Sequence, residues 1–123
     1  MLTCQTSGAF YYLKDSQEID IEYLTDPSSL SNNGVGSPIP IWYSNQAVEE
    51  GGEATQAPIV ATNNKGQTVT NLTTQYHEYR IDWTPDRTSF YFDGIKQADF
   101  ADNVPYEPGY WIWNNWANGD QGM

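Results

Sequence analysis

Three carboxylates alternate with hydrophobic residues in one short stretch of the chain, "SQEIDIEY". Successive side chains of a β-strand point to opposite faces, so Glu18, Asp20 and Glu22 share one face while Ile19 and Ile21 share the other. Three like charges in a row repel one another and provide no packing, which makes the arrangement locally unfavourable. Such local violations are expected mainly at functional sites.

The residue types of this stretch leave three interpretations open. A solvent-facing strand can carry charges that discourage pairing between sheet edges, although Lys or mixed charges are usual there. Clustered carboxylates also attract hard cations such as Ca²⁺, although calcium ligands usually come from a loop rather than from one straight strand. The third interpretation is chemistry by a pair of carboxyl groups.

Glycoside hydrolysis is the reaction that such a pair would perform, because one acid protonates the leaving oxygen while a second carboxylate attacks or activates water. Residues four apart on a strand are roughly 13 Å apart at the backbone, whereas retaining enzymes hold their carboxyl groups about 5–5.5 Å apart. Glu18 and Glu22 must therefore lean toward each other across Asp20. The shorter Asp20 can then hydrogen-bond to one glutamate and help to keep the proton on the other.

Segments with period-two alternation surround this stretch and predict an antiparallel β-sandwich without helices. The predicted strands are residues 8–13, 17–24, 39–43, 58–62, 67–73, 77–83, 89–92 and 110–116. Turns are predicted at Asn63–Gly66, at Thr84–Arg87 and at the Asp93–Gly94 pair that precedes Ile95.

Composition excludes several classes of function. The 123 residues contain 5 basic and 16 acidic side chains, and the formal net charge of −11 would repel nucleic acid and anionic membrane surfaces. No segment approaches the ~20 consecutive apolar residues of a transmembrane helix, and no signal-peptide pattern opens the chain. Cys4 and His77 are the single residues of their types, so the sequence has no zinc-binding pattern.

Two residues favour an oxidising, extracellular setting. Cys4 is either a small buried side chain or half of a disulfide whose partner lies outside this chain. Asn71 begins the tripeptide Asn-Leu-Thr, which fits the acceptor pattern for N-glycosylation.

Three separate motifs carry a resemblance to a known family. They are "QEIDIEYL", "YHEYRIDWTPDRTSFYFDG" and "PGYWIWNNWANGD". The first is similar to the E-x-D-x-E signature of glycoside hydrolase family 16, the clan of laminarinases and lichenases, in its secreted fungal form. The second resembles the strand, turn and strand that follow in that family, and the third resembles a strand of its substrate cleft. The resemblance covers residues about 8 to 120 and implies a concanavalin A-like jelly roll, of which residues 1–123 would be a partial domain.

The resemblance also implies roles for individual residues. Glu18 would be the nucleophile, Asp20 its electrostatic helper and Glu22 the general acid/base. The residues that would line the sugar cleft are Asn114, Trp116 and, from a neighbouring strand, Tyr43. We expect three further tryptophans to belong to the core and the histidine to have a structural role; these residues are Trp83, Trp111, Trp113 and His77.

By this resemblance, the expected activity is that of a retaining, endo-acting hydrolase of β-glucan with β-1,3 or mixed β-1,3/β-1,4 links. Transglycosylation onto another glucan is an alternative, because a sugar hydroxyl can replace water in the second step. A glucan-binding module without turnover is a second alternative. We expect no cofactor, no nucleic-acid or membrane partner, a monomer, and a secreted or cell-wall location for the parent protein; a structural calcium is not indicated by the sequence.

Overall fold

The computed structural model describes residues 6–11, 17–70 and 72–114, with backbone alone for 6–11 and 114. These residues form strands and connecting loops, with no helix among them. The strands are β1 (Thr6–Tyr11), β2 (Glu18–Tyr23), β3 (Ile41–Asn45), β4 (Thr55–Ile59), β5 (Tyr79–Thr84), β6 (Arg87–Phe92), β7 (Ile95–Phe100) and β8 (Tyr110–Asn114).

The strands form two antiparallel sheets. In the five-stranded sheet the order is β4-β3-β2-β1-β8, so the strand with the three carboxylates is central and is paired on both sides. In the other sheet, β5, β6 and β7 follow one another as a meander. The predicted all-β antiparallel sandwich is therefore confirmed.

The core lies between the two sheets, where large apolar side chains of both inner faces meet. Ile19 and Ile21 of β2 are buried there, together with Tyr43 of β3. Phe90 and Phe92 of β6 are also fully buried and belong to the same cluster. Burying this face stabilises the sheet and fixes the register of β2, because a slip by one residue would move the carboxylates into the core.

Two predicted turns are confirmed. Asp93 and Gly94 both have positive φ, 48° and 77°, which is the requirement of the two-residue turn that joins twisted antiparallel strands. At the other turn, the amide of Gly66 donates to the carbonyl of Asn63 at 2.9 Å.

The predicted strand at residues 67–73 is wrong. Only an isolated bridge joins Thr68 to Thr62, and residues 72–74 form a turn. The Oδ1 atom of Asn63 accepts hydrogen bonds from the amides of Lys65 and Gln67 at 2.9 and 3.0 Å. Such local side-chain hydrogen bonds compete with a strand ladder, and they hold this segment in a loop.

Other strand boundaries shift by a few residues. The third strand continues to Asn45, two residues beyond the prediction, and the fourth begins at Thr55 instead of residue 58. Three residues singled out in the sequence, Cys4, Asn71 and Trp116, lie outside the described residues, as does the side chain of Asn114.

Candidate active site

The three carboxylates lie on the face of the five-stranded sheet that points away from the three-stranded sheet. Glu18, Asp20 and Glu22 alternate along β2 with Ile19 and Ile21, which are buried in the core. The alternation read from the sequence is therefore correct. The two glutamates are half-buried, and Asp20 between them is only 1% exposed.

Asp20 is a carboxyl group in surroundings that oppose its charge. Burial is the main cause that raises its pKa to about 9, and the neighbouring carboxyl group of Glu18 adds to the increase. A hydrogen bond from Gln46 Nε2 to Asp20 Oδ2, at 2.8 Å, acts in the opposite direction. The other oxygen, Oδ1, is buried and has no hydrogen-bond partner among the described residues. At neutral pH Asp20 is therefore protonated.

Glu22 is also biased toward its neutral form, chiefly by burial, which raises its pKa, and then by the negative charge of Glu18. A carboxyl group that keeps its proton near neutral pH is suited to general acid catalysis. The strand thus combines two carboxyl groups, Asp20 and Glu22, whose pKa values are both raised chiefly by burial.

An open cavity of about 670 Å³ begins at Glu18, within the volume range of small-molecule sites. Its lining residues are Glu18, Gln46, Ala47, Glu49, Glu50, Gly51 and Gly52. Most of them belong to the loop between β3 and β4, so this loop forms one wall beside Glu18.

The prediction that Tyr43 faces the cleft is wrong. Tyr43 is 0% exposed, and its ring packs against Phe90 with a centroid distance of 5.2 Å. The register explains the difference: Tyr43 is paired with Ile21, whereas Trp42 is paired with Glu22. Partners in register share a face of the sheet, so the even-numbered positions of β3 lie on the carboxylate face.

Trp42 is the aromatic residue of β3 that sequence reasoning missed. It is half-buried, and its Nε1 atom donates to Asn32 Oδ1 at 3.1 Å. Asn32 in turn donates through Nδ2 to the carbonyls of Leu24 and Asp26, at 3.0 and 2.8 Å. The indole beside Glu22 is thus fixed by a buried amide. Alternation alone shows that Trp42 and Tyr43 lie on opposite faces, and only the register of β3 against β2 shows which of the two shares the carboxylate face.

Strand β8 contributes to both faces of the sheet. Tyr110 lies in the register row of Glu18 and is 62% exposed. Asn114 pairs with Ser7, which in turn pairs with Glu22. Trp111 and Trp113 occupy rows of the opposite face, where they stack edge to face at 5.3 Å.

The expectation that both of these tryptophans are core residues is wrong for the described part of the chain, since Trp111 is 42% and Trp113 55% exposed. Their rows run through Ile19 and Ile21, the core side of β2. The described strands of the second sheet do not bury them, although their face was read correctly.

Trp83 and His77 make contacts of the kind expected for structural residues. Trp83 packs against the core, and its Nε1 atom donates to the carbonyl of Pro105 at 2.7 Å. His77 Nδ1 lies 2.8 Å from Asp93 Oδ2, and its ring is 4.8 Å from that of Phe92.

Within the described ranges, no group of three or more His, Cys, Asp or Glu side chains is arranged to hold a metal ion. In the same part of the chain, no helix is long and apolar enough to cross a membrane.

Comparison with known proteins supports the chemistry that the strand indicates. A Crh-like protein of Arthroderma benhamiae is 33% identical over 55 residues, which cover 41% of this chain and 12% of that relative. The matched part is therefore a small fraction of the relative's length. A family model described as glycosyl hydrolases family 16 matches residues 4–121. Because this match extends over nearly the whole of the 123 residues, the chain belongs to glycosyl hydrolases family 16.

Proposed function

We propose that the chain carries the catalytic strand of a retaining, endo-acting glycosidase that cleaves β-glucan with β-1,3 or mixed β-1,3/β-1,4 links. The observation that carries this proposal is a buried Asp20 between two half-buried glutamates on one sheet face; the raised pKa of Asp20, caused chiefly by that burial, supports it. Membership of glycosyl hydrolases family 16 supports cleavage or transfer of glycosidic bonds. The choice of β-glucan rests on the resemblance of the sequence motifs.

In the first step, the carboxylate of Glu18 attacks the anomeric carbon, and the bond from that carbon to the leaving oxygen breaks. Glu22 gives its proton to the leaving oxygen, so the departing sugar is a neutral alcohol. The raised pKa of Glu22, caused chiefly by burial, supports this assignment because it keeps the required proton available.

In the second step, Glu22 accepts a proton from water, and the resulting hydroxide oxygen attacks the anomeric carbon. The ester bond to Glu18 breaks, so both glutamates return to their starting states and the product retains its configuration. Asp20 keeps its proton through both steps. When that proton is directed at Glu18, it stabilises negative charge on Glu18 whenever the carboxylate is free.

Substrate is expected to lie across the carboxylate face, where aromatic rings can pack on the apolar faces of sugars. Trp42 beside Glu22 and the exposed Tyr110 in the row of Glu18 are the described residues suited to this role. Asn114 and Trp116 remain proposed cleft residues. A polysaccharide substrate of this kind implies that the parent protein acts outside the cell or in a cell wall.

The test is to incubate the protein with a β-1,3-glucan and with a mixed-linkage glucan and to follow the products by proton NMR. The proposal predicts internal cleavage, with the β-anomer as the first product. Added oligosaccharide acceptors would give longer chains if sugar hydroxyls compete with water, which would mark a transglycosylase. A Glu78→Gln variant, altered at an exposed residue before β5, is the matched control. Glucan binding without any turnover would reject the catalytic proposal.

A further inference from the structure

We propose that Gln46 is a positioning residue whose side-chain amide turns the carboxyl group of Asp20 so that the Asp20 proton faces Glu18. This inference rests on the proposed function, in which Glu18 is the nucleophile. Gln46 stands immediately after β3, on the loop that lines the cavity, and it was not among the residues that the sequence motifs singled out.

The two oxygens of Asp20 have different surroundings. Oδ2 accepts a hydrogen bond from Gln46 Nε2 at 2.8 Å, whereas the buried Oδ1 has no hydrogen-bond partner among the described residues. An amide N–H can only donate, and the carbonyl-type oxygen of a neutral carboxyl group is its better acceptor. Gln46 therefore selects Oδ2 as the acceptor and leaves the proton of Asp20 on Oδ1.

The groups around Asp20 determine where that proton can go. On β2 its charged neighbours are Glu18 and Glu22, and of the two Glu18 contributes more to the raised pKa of Asp20. From β3, Ser44 lies in register with Asp20, and neither it nor Gln46 titrates. On the other side, β1 places Ala9 in register. The glutamates are thus the titratable groups that act on Asp20 in the described part of the site.

Gln46 is itself held in place by contacts of its main chain and its loop. Its backbone amide donates to the carbonyl of Glu18 at 2.9 Å, so one residue bonds both to the nucleophile's main chain and to Asp20. Asn103 bonds to the loop that follows: its Oδ1 accepts from the amide of Val48 at 3.4 Å, and its Nδ2 donates to the carbonyl of Glu53 at 2.9 Å. A side chain whose main chain and amide group are both held by hydrogen bonds can orient the carboxyl group that it contacts, as the partners of metal-binding side chains orient their ligands.

The experiment compares wild type with Gln46→Met, which keeps the length of the side chain but cannot donate, and with Gln46→Glu, whose carboxylate accepts a proton. Gln97→Met, on β7 in the other sheet, is the matched control. Two quantities are measured in the folded protein: the titration midpoint of the Asp20 carboxyl carbon by ¹³C NMR, assigned with Asp20→Asn, and the pH profile of kcat/KM on β-glucan.

In wild type the hydrogen bond from Gln46 favours the charged form of Asp20 and lowers its pKa. Because Gln46→Met removes this bond, we expect the Asp20 midpoint to move to higher pH. kcat should fall about tenfold to a hundredfold with KM nearly unchanged. The acidic limb of the profile should move to higher pH, since the nucleophile's carboxylate loses a directed donor. Gln46→Glu should reduce kcat by at least as much as Gln46→Met. Gln97→Met should change neither the Asp20 midpoint nor the pH profile of kcat/KM.

An unchanged Asp20 midpoint and an unchanged acidic limb in Gln46→Met would overturn the inference. If that variant does not fold, Gln46→Glu provides the test. A wild-type rate and a wild-type acidic limb in Gln46→Glu would show that no hydrogen-bond donor is needed at position 46, which would overturn the inference. A wild type that turns over no glucan, but whose Asp20 midpoint moves in Gln46→Met, would reject the proposed function and support the positioning of Asp20. Normal turnover by wild type, with neither the Asp20 midpoint nor the acidic limb shifted in Gln46→Met, would support the proposed function and reject the positioning role of Gln46.

Discussion

The outer face of each sheet carries an aspartate, Asp20 within β2 and Asp99 near the end of β7. The pKa values of the two aspartates are shifted in opposite directions. On the five-stranded sheet, burial and neighbouring glutamates raise the pKa of Asp20 to about 9. On the three-stranded sheet, a hydrogen bond from Ser89, followed by bonds from Lys96 and Arg87, lowers the pKa of Asp99 to about 2. One face opposes negative charge, and the other favours it.

The second face is organised as ordinary surface. Arg87 and Lys96 both pair with Asp99, and the guanidinium of Arg80 lies 3.8 Å from the centre of the Tyr91 ring. Each charge there has a partner of opposite sign or an aromatic face. The first face, in contrast, groups three acids on one strand without a cation among their described contacts. Strand geometry permits both patterns, so it does not explain why the acids are grouped on the first face. The proposed catalytic role does explain it.

The largest effect is expected from removing either glutamate of the first face. Glu18→Ala and Glu22→Ala should each reduce hydrolysis more than about a thousandfold, or roughly 4 kcal/mol. Azide should rescue Glu18→Ala by filling the nucleophile's place and give a glycosyl azide of inverted configuration. In Glu22→Ala, azide should give the retained configuration, because Glu18 still forms the intermediate.

Asp99→Asn is the matched control for these two variants, since it changes an acid on the other sheet. Its activity should remain at the wild-type level. Opposite azide stereochemistry at the two glutamates would exchange their roles, and full activity in both variants would remove the functional distinction between the two faces.

Asp20→Asn should have the next largest effect, on the pH dependence of stability. Because the pKa of Asp20 is raised to about 9 in the folded protein from its ordinary 3.8, the folded state holds a proton that the unfolded chain releases. The contribution of Asp20 to stability is therefore greatest below about pH 4 and declines as pH rises toward 9, by up to about 1.4 kcal/mol per unit. Asn cannot ionise, so urea unfolding between pH 4 and 9 should show a flatter profile, with the fold retained. A decline as steep as that of wild type would locate its cause in another residue.

The sequence predicted the sandwich and the carboxylate strand because both depend on strict alternation, which is local. Glu18, Asp20 and Glu22 could be assigned to one face without knowing any partner strand. Trp42 and Tyr43 could not be assigned, since their faces depend on the register of β3 against β2, a long-range property. The role of Gln46 depends on a hydrogen bond across 26 positions of sequence, for which the chain carries no local pattern.

Trp42→Ala tests whether the first face holds sugar. The loss of an aromatic surface should weaken glucan binding by ~1–3 kcal/mol, by analogy with stacking on other planar ligand faces, while Trp42→Phe should retain most of the affinity. The matched control is Tyr91→Ala, which removes an aromatic ring from the other outer face. Isothermal titration with a glucan oligosaccharide measures the difference. Equal losses of glucan affinity in Trp42→Ala and Tyr91→Ala would mean that the glucan does not bind preferentially to the first face. A loss of stability in Trp42→Ala without a loss of affinity would make Trp42 a structural residue.

The smallest effect is expected for Asp99→Asn, measured as stability at acidic pH. Its pKa is lowered from 3.8 to about 2, so its carboxylate contributes stability that is present above about pH 4 and is lost as pH falls through 2. The group is solvent-exposed, and screening keeps this contribution small. As pH is lowered from 5 to 2, the free energy of unfolding in urea should therefore fall less steeply in Asp99→Asn than in wild type. Above pH 5 its dependence on pH should be the same in both proteins. Asp20→Asn should show the complementary pattern, because its proton is bound throughout that acidic range. If both variants changed the same limb of the stability profile, the two aspartates would not be electrostatic opposites, and the contrast between the two faces would have to rest on the glutamates alone.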